Sequence, residues 1–301
     1  MADQAERLRQ MKKLERNSSI TGEAPKLIDP VRVSITSGKG GVGKSNIALN
    51  TSIALSSFGR KVLLIDADTN LANLDILFGI NPKYNLSDVI AGDKSMEEII
   101  IKGPEGVEIL PGSSGMVEML DLEDEVQRHL TTSFRELEKN RDFVIIDTGA
   151  GLTKYILSIA SSSDEVIIVT NPEPTAITDA YAMIKLVSHR SPLVRIHLLV
   201  NMVKSAEEAS DVFEKLNLVV QNFLSVPISY LGHIPRDPNV STAVTHQTPF
   251  LMAFPKCTAS IALRMTTRKL MAVERRRKDP AKSQSFLSKL LKSNRNNDEE
   301  G

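Results

Sequence analysis

The chain has 301 residues, 41% hydrophobic and 25% charged, with a formal net charge of +0, the profile of an ordinary globular protein long enough for one or two domains. Zero net charge gives no whole-molecule pull toward nucleic acid or acidic lipid, so any such pull has to be local. A single cysteine, Cys257, excludes an internal disulfide framework, a CxxC zinc site and a thiolate-held iron–sulfur cluster within one chain.

The opening MADQAERLRQMKK has no apolar core of the kind a secretory signal needs, and no run approaches the roughly 20 apolar residues of a membrane span. A cytoplasmic protein is expected. Composition divides the chain into a polar arm (1–24), a core-bearing domain (25–278) and a Ser/Lys/Asn-rich tail with one apolar cluster (279–301).

In chain order, apolar β-rich runs recur at 31–36 (VRVSIT), 61–66 (KVLLID), 107–110 (VEIL), 143–147 (FVIID), 165–170 (EVIIVT), 195–201 (RIHLLVN) and 229–234 (SYLGHI). Most are continuous rather than alternating, as in strands buried on both faces. Helical stretches at 45–58, 126–139 and 176–188 lie between them. The alternation predicts one α/β domain with a mostly parallel, twisted sheet and helices on both faces. Its ligands should bind beyond the carboxyl ends of the strands.

After the first run, Gly38, Lys39, Gly40, Gly41, Val42, Gly43, Lys44 and Ser45 spell GKGGVGKS, a G-x-x-x-x-G-K-[ST] phosphate loop between a strand and a helix. Glycines let successive N–H groups, and the N-terminus of the helix entered through Asn46, face an anion. Lys44 is expected on the β- and γ-phosphates of ATP, and the Ser45 hydroxyl on Mg²⁺. Lys39 is not needed to cradle its own nucleotide, and a second ammonium beside Lys44 is repelled unless another negative group is close. In a homodimer with two such loops face to face, each Lys39 reaches the other subunit's phosphates and stabilises charge at the γ-phosphate. A merely solvated lysine is the alternative. Asp147 closes FVIID after four apolar residues, where a carboxylate reaches Mg²⁺ through water. Gly149 to Gly151 can flex and offer backbone N–H to the γ-phosphate, sensing ATP against ADP.

K-G-G-x-G-K-S resembles the deviant phosphate loop of the MinD/ParA ATPases, and the resemblance covers about residues 31–270. It implies a P-loop NTPase fold of the MinD/ParA type, Mg-dependent ATP hydrolysis and an ATP-sandwich dimer made through Lys39. Against that family's D-x-D-x-x-x-x-N-x-D pattern, it implies that Asp68 orients the attacking water and Asp66 supports the Mg²⁺ shell, with Asn73 and Asp75 at the dimer contact. A helix cap is the plainer reading of Asp68. The same resemblance places adenine at Asn201 and at Pro235 in IPRDPNV, whereas Asn171 reads as a strand-end cap. Many relatives have proline in the turn that here reads TGAG, which raises the expected mobility of that loop.

The two ends refine the family. Ala5, Leu8 and Met11 make a narrow apolar stripe, too short for a stable helix alone in water but suited to folding in a partner's groove; a frayed leader is the plain alternative. D-Q-A-x-x-L-R, carried by Asp3, Gln4, Leu8 and Arg9, resembles the N-terminal activator helix of the FlhG (FleN/YlxH) family of MinD-like flagellar-number regulators. That resemblance implies the SRP-type GTPase FlhF as partner, with Gln4 helping to position a water at the partner's GTP. It also admits flagellar switch-complex proteins or a flagellar transcription regulator. In the tail, Phe286, Leu287, Leu290 and Leu291 span a helical arc of about 140°, with Lys282, Ser285, Ser288, Lys289 and Lys292 around the rest. This is the pattern of a basic amphipathic helix lying in a membrane interface. Two copies on a dimer bind far better than one, so ATP is expected to control peripheral attachment to the inner face of the cell membrane, a polar position being open. A tail packed on the protein's own core is the other reading, and Asp298, Glu299 and Glu300 add repulsion from anionic lipid. Two rivals share the active site. A ParA-type partition ATPase needs a basic DNA surface, for which VERRRKDPAK (273–282) is the candidate; no nucleic-acid partner is expected. A MinD-type division-site regulator leaves DQAERLR unexplained.

Overall fold

The computed structural model describes residues 29–68, 77, 79, 82–111, 113–272 and 284–299. The expected partner contacts Asp3, Gln4, Leu8 and Arg9 lie outside these residues, as do Asn73, Asp75 and the basic run 273–282.

The strands are β1 Val31–Ser37, β2 Val62–Ala67, β3 Ile101–Lys102, β4 Glu108–Pro111, β5 Phe143–Ala150, β6 Glu165–Thr170, β7 Arg195–Val203 and β8 Ile228–Pro235. They form an 8-stranded sheet ordered β3-β4-β2-β5-β1-β6-β7-β8. Its neighbours pair parallel, except β3, which runs antiparallel to β4. Seven strands fall on the seven apolar runs. The eighth, β3, has two residues, too few to leave a periodic signal.

The helices are α1 Lys44–Ser57, α2 Leu86–Ile90, α3 Ser113–Glu118, α4 Asp124–Glu138, α5 Lys154–Ser162, α6 Pro174–Arg190, α7 Ala206–Leu224, α8 Pro238–Thr245, α9 Phe250–Ala253, α10 Thr258–Ala272 and α11 Phe286–Glu299. Strand side chains alternate between faces. Along β2, Leu64 joins the cluster under α1, α9 and α10, while Leu63 and Ile65 join the cluster under α4, α5 and α11. Both faces are covered, which is why these strands are continuously apolar. α1 is buried over most of its length, so its polar residues need partners. Asn50 Oδ1 accepts from Leu251 N (2.9 Å), and Ser52 donates to the Ala48 carbonyl (2.8 Å).

Asp237 joins two helix N-termini. Its carboxylate accepts from Asn239 N (3.0 Å) at the start of α8, and from Thr258 Oγ1 (2.7 Å) and Ala259 N (3.2 Å) at the start of α10. Burial raises the pKa of this carboxyl, but Thr258, Ala259 and Asn239 outweigh it and hold the group below the usual carboxylate range. A depressed folded pKa stabilises the fold fully above the unfolded value of about 4 and loses that contribution as pH falls toward the folded value. Asp237→Asn should therefore lower stability at pH 7 by roughly 1–2 kcal/mol. In urea titrations its gap to wild type should narrow below about pH 4; a gap independent of pH would contradict this cap.

The tail corrects a sequence expectation. α11 packs on α5 and α4, with Phe286, Leu287 and Leu290 0% exposed and Leu291 7%. The apolar face expected to meet lipid completes the protein's own core, and residues 286–293 belong to the folded body rather than to a free tail. Phe286 stacks at a tilt on Phe134, ring centroids 6.3 Å apart. Its amide donates to Glu138 Oε1 (3.2 Å), and Glu138 is itself held by the buried Arg32 guanidinium at 2.8 and 3.0 Å. Lys289, expected on the basic side of a membrane-interface helix, pairs with Asp164 (3.0 Å). An acceptor for the first helical N–H and a cation partner on the body are what a docked helix needs. Among the described residues no helix is long and apolar enough to cross a membrane.

Candidate functional site

The candidate site lies where the carboxyl ends of β1, β2 and β5 converge. β1 delivers the phosphate loop, in which Gly41 and Gly43 adopt φ of +80° and +87°, backbone that glycine accepts without strain. Gly43 is the N-cap of α1 and supplies no side-chain cap, and the first turn of α1 has no acidic residue. The helix therefore presents uncapped N–H groups at its positive end, the arrangement that binds phosphate.

Lys44 and Lys39 occupy different environments. Lys44 is buried; its ammonium donates to Asp147 Oδ1 (2.8 Å) and lies 4.0 Å from Asp68 Oδ2. Lys39 is 38% exposed. It ion-pairs with Glu173 of the same chain and donates to Thr175 Oγ1 (2.9 Å). Lys39 pulls the Glu173 carboxyl below its usual range. Glu173 caps the start of α6 and Thr175 lies in its first turn. Sequence reasoning missed both, since NPEPT has no motif spacing.

The β2/β5 register sets Asp66 opposite Asp147, bringing the two carboxylates side by side. Asp66 accepts from Asp68 N (3.1 Å), which fixes the turn carrying Asp68. Burial pushes the Asp147 carboxyl above the usual range, against the pull of the Lys44 charge and the Ser45 hydroxyl. Asp147 Oδ2 is sealed from solvent with no hydrogen-bond partner. A buried carboxylate oxygen in search of a donor beside a serine hydroxyl fits a hydrated Mg²⁺, a hard cation that keeps its own waters and takes few protein ligands. No group of three or more His, Cys, Asp or Glu able to hold a metal occurs among the described residues, as expected where phosphate oxygens and water complete the shell. Ser45 and Asp147, with Asp66 beside them, are the residues that would hold it.

Gly149 lies close to Asp68: a Cβ there would be 3.2 Å from Asp68 Oδ1. Gly149 and Ala150 close β5 instead of forming the expected flexible turn, the Gly151 N–H donates to the Ser37 carbonyl (2.9 Å), and Gly149 lies against the carboxylate expected to orient water. Asn201 lies two residues before the end of β7 and Pro235 ends the adjacent β8, in the register Asn201–Ile234 and Val203–Pro235. The Asn201 amide braces the phosphate loop, donating to the Val42 carbonyl (2.8 Å). It sits so near Gly43 that a Cβ there would be 2.4 Å from Asn201 Nδ2. The expected adenine contact thus has a structural task that its strand-end position did not reveal. Asn171 caps its turn as expected, accepting from Glu173 N (3.2 Å).

Residues 31–198 match the AAA domain family model. The chain is 40% identical over 242 residues to the antiactivator FleN of Pseudomonas aeruginosa, covering 80% of this chain and 86% of FleN. The chain belongs to the MinD/ParA ATPases, on the FleN/YlxH branch. The flagellum site-determining protein YlxH of Helicobacter pylori is 37% identical over 67% of this chain and 68% of its own. Among solved structures, the septum site-determining protein MinD of Pyrococcus horikoshii, in complex with Mg-ADP, aligns at 29% identity with a TM-score of 0.64, covering 81% of this chain and 98% of that one. The expected P-loop NTPase fold is thus the observed one, and the chain is an ATP-binding regulator of the MinD/ParA type.

Proposed function

We propose that this chain is a slow, Mg-dependent ATPase that dimerises around ATP and, as a membrane-associated switch, sets flagellar number and placement. The observation that carries the reading is the separation of the two lysines. Lys44 is inside the site, on Asp147 and Asp68. Lys39 is at its mouth, held by Glu173 and Thr175. An ion pair this exposed is a weak restraint, so Lys39 can leave it readily for a stronger anion. The phosphates of a second subunit supply one, whereas its own nucleotide already has Lys44 and the start of α1.

Within one subunit, the loop N–H groups and Lys44 bind and orient the phosphates, and Asp68 accepts a hydrogen bond from the attacking water and aims it. Bound Mg²⁺ neutralises phosphate charge. Lys39→Ala should bind ATP as a monomer; light scattering that still showed an ATP-dependent dimer would remove this lysine from the switch.

Membrane attachment has to begin from the docked α11. Burying four large apolar side chains is worth roughly 6–10 kcal/mol as an upper bound. Lipid would return a similar amount, but undocking also exposes the core beneath α11. Release therefore requires a second source of free energy, and dimerisation on ATP is the source proposed here. The flagellar role draws on the FleN and YlxH relatives and on DQAERLR, through which the chain would stimulate FlhF. A peptide of residues 1–23 should raise GTP hydrolysis by FlhF, and Gln4→Ala should abolish the effect; a peptide without effect would leave the flagellar partner unsupported.

A further inference from the structure

Tyr155 holds a hydroxyl that the fold leaves unused. Its oxygen is sealed from solvent and has no hydrogen-bond partner, a condition that costs free energy and calls for a reason. The ring packs between the clusters beneath α4 and α6, so the residue is not free to swing into solvent. Tyr155 is in the first turn of α5, which follows the end of β5 and Gly151 by way of Leu152 and Thr153. The next residue, Ile156, is near Gly149 together with the Asp68 carboxylate: a Cβ at Gly149 would lie 3.4 Å from Ile156 Cδ1 and 3.2 Å from Asp68 Oδ1. Burial, and then the charges of Asp66 and Asp68, keep the phenol protonated. It is an unspent donor within the electrostatic reach of both carboxylates.

Lys44 is shared between Asp147 and Asp68. Binding phosphate draws that ammonium away and leaves the Asp66–Asp68 pair more negative, just when Asp68 has to hold one orientation. We propose that Tyr155 is a positioning residue for ATP hydrolysis, its hydroxyl donating to the Asp66–Asp68 carboxylate pair once the nucleotide has taken Lys44. A small shift of the first turn of α5 with Gly149 to Gly151 makes the bond.

This inference rests on the ATPase reading. Its test uses the full chain with tyrosines carbon-13 labelled at Cζ. There are 4 tyrosines, and Tyr155→Phe assigns the resonance. Adding Mg²⁺ and a non-hydrolysable ATP analogue should move the Tyr155 signal downfield, as donation by a phenol does. Tyr155→Phe should keep the wild-type affinity for the analogue and melt no lower than wild type without nucleotide, since no bond is lost. Its turnover should fall about tenfold, and on an Asp68→Ala background it should cause no further loss. If the analogue binds and the resonance stays put, or Tyr155→Phe turns over like wild type, the inference is overturned and the ATPase reading survives. A wild-type chain that neither binds nor hydrolyses ATP would overturn both.

Discussion

Asp68→Ala should keep its ATP and lose its turnover. The carboxylate is buried, 7% exposed, at the carboxyl end of β2, with Lys44 4.0 Å away and Gly149 against it. Among the described residues the neighbouring carboxylates have other tasks: Asp147 Oδ1 accepts from Lys44, and Asp66 holds the turn through Asp68 N. Removing a group that orients or deprotonates water costs about 100-fold or more in rate. Removing a negative charge beside the phosphates does not weaken binding and, by relieving repulsion, favours it. The variant should therefore bind a non-hydrolysable analogue at least as well as wild type, release phosphate about 100-fold more slowly, and persist as a dimer in ATP. Wild-type phosphate release would exclude Asp68 from the chemistry.

Leu290→Asp should lower stability sharply, whatever it does to the proposed membrane attachment. Leu290 is 0% exposed on the docked face of α11, and burying an unpaired carboxylate there is costlier than letting the helix undock. Undocking forfeits the contacts of Phe286, Leu287 and Leu291 too. A loss of at least about 3–5 kcal/mol follows from the core contacts alone, which for a domain of this size corresponds to at least roughly 6–12 °C in Tm. A tail that served only lipid would show the opposite pattern, with vesicle flotation lost and Tm unchanged. That result would contradict the docked helix.

The contrast between these two residues shows what could be read from the chain alone. Asp68 follows an apolar strand run and matches the D-x-D-x-x-x-x-N-x-D pattern of the resembled family, and that resemblance made its place near the phosphate loop legible. The apolar strand runs were legible because burial on both faces leaves a pattern within each segment. Leu290 sits in a pattern that two environments satisfy equally. An apolar arc of four residues suits lipid or a protein groove, and the deciding facts are remote in sequence: Phe134, Glu138 and Asp164 across the docking surface. Lys39 is an intermediate case. Its redundancy beside Lys44 was visible in the loop, while its resting partners Glu173 and Thr175 come from a helix start more than 130 residues away. Asn201 differs again. Its position near the carboxyl end of β7 fits either a base contact or a brace, and only the 2.8 Å bond to Val42 shows the brace.

The proposed switch turns on where one ammonium goes when ATP arrives. A crystal structure of the full chain with Mg²⁺ and a non-hydrolysable ATP analogue tests this most directly. The expected result is a twofold dimer in which Lys39 has left Glu173 and Thr175 and its Nζ contacts the phosphates of the nucleotide in the partner subunit. A single subunit, nucleotide bound, with Lys39 still on Glu173 or facing solvent and no twofold mate, would contradict it.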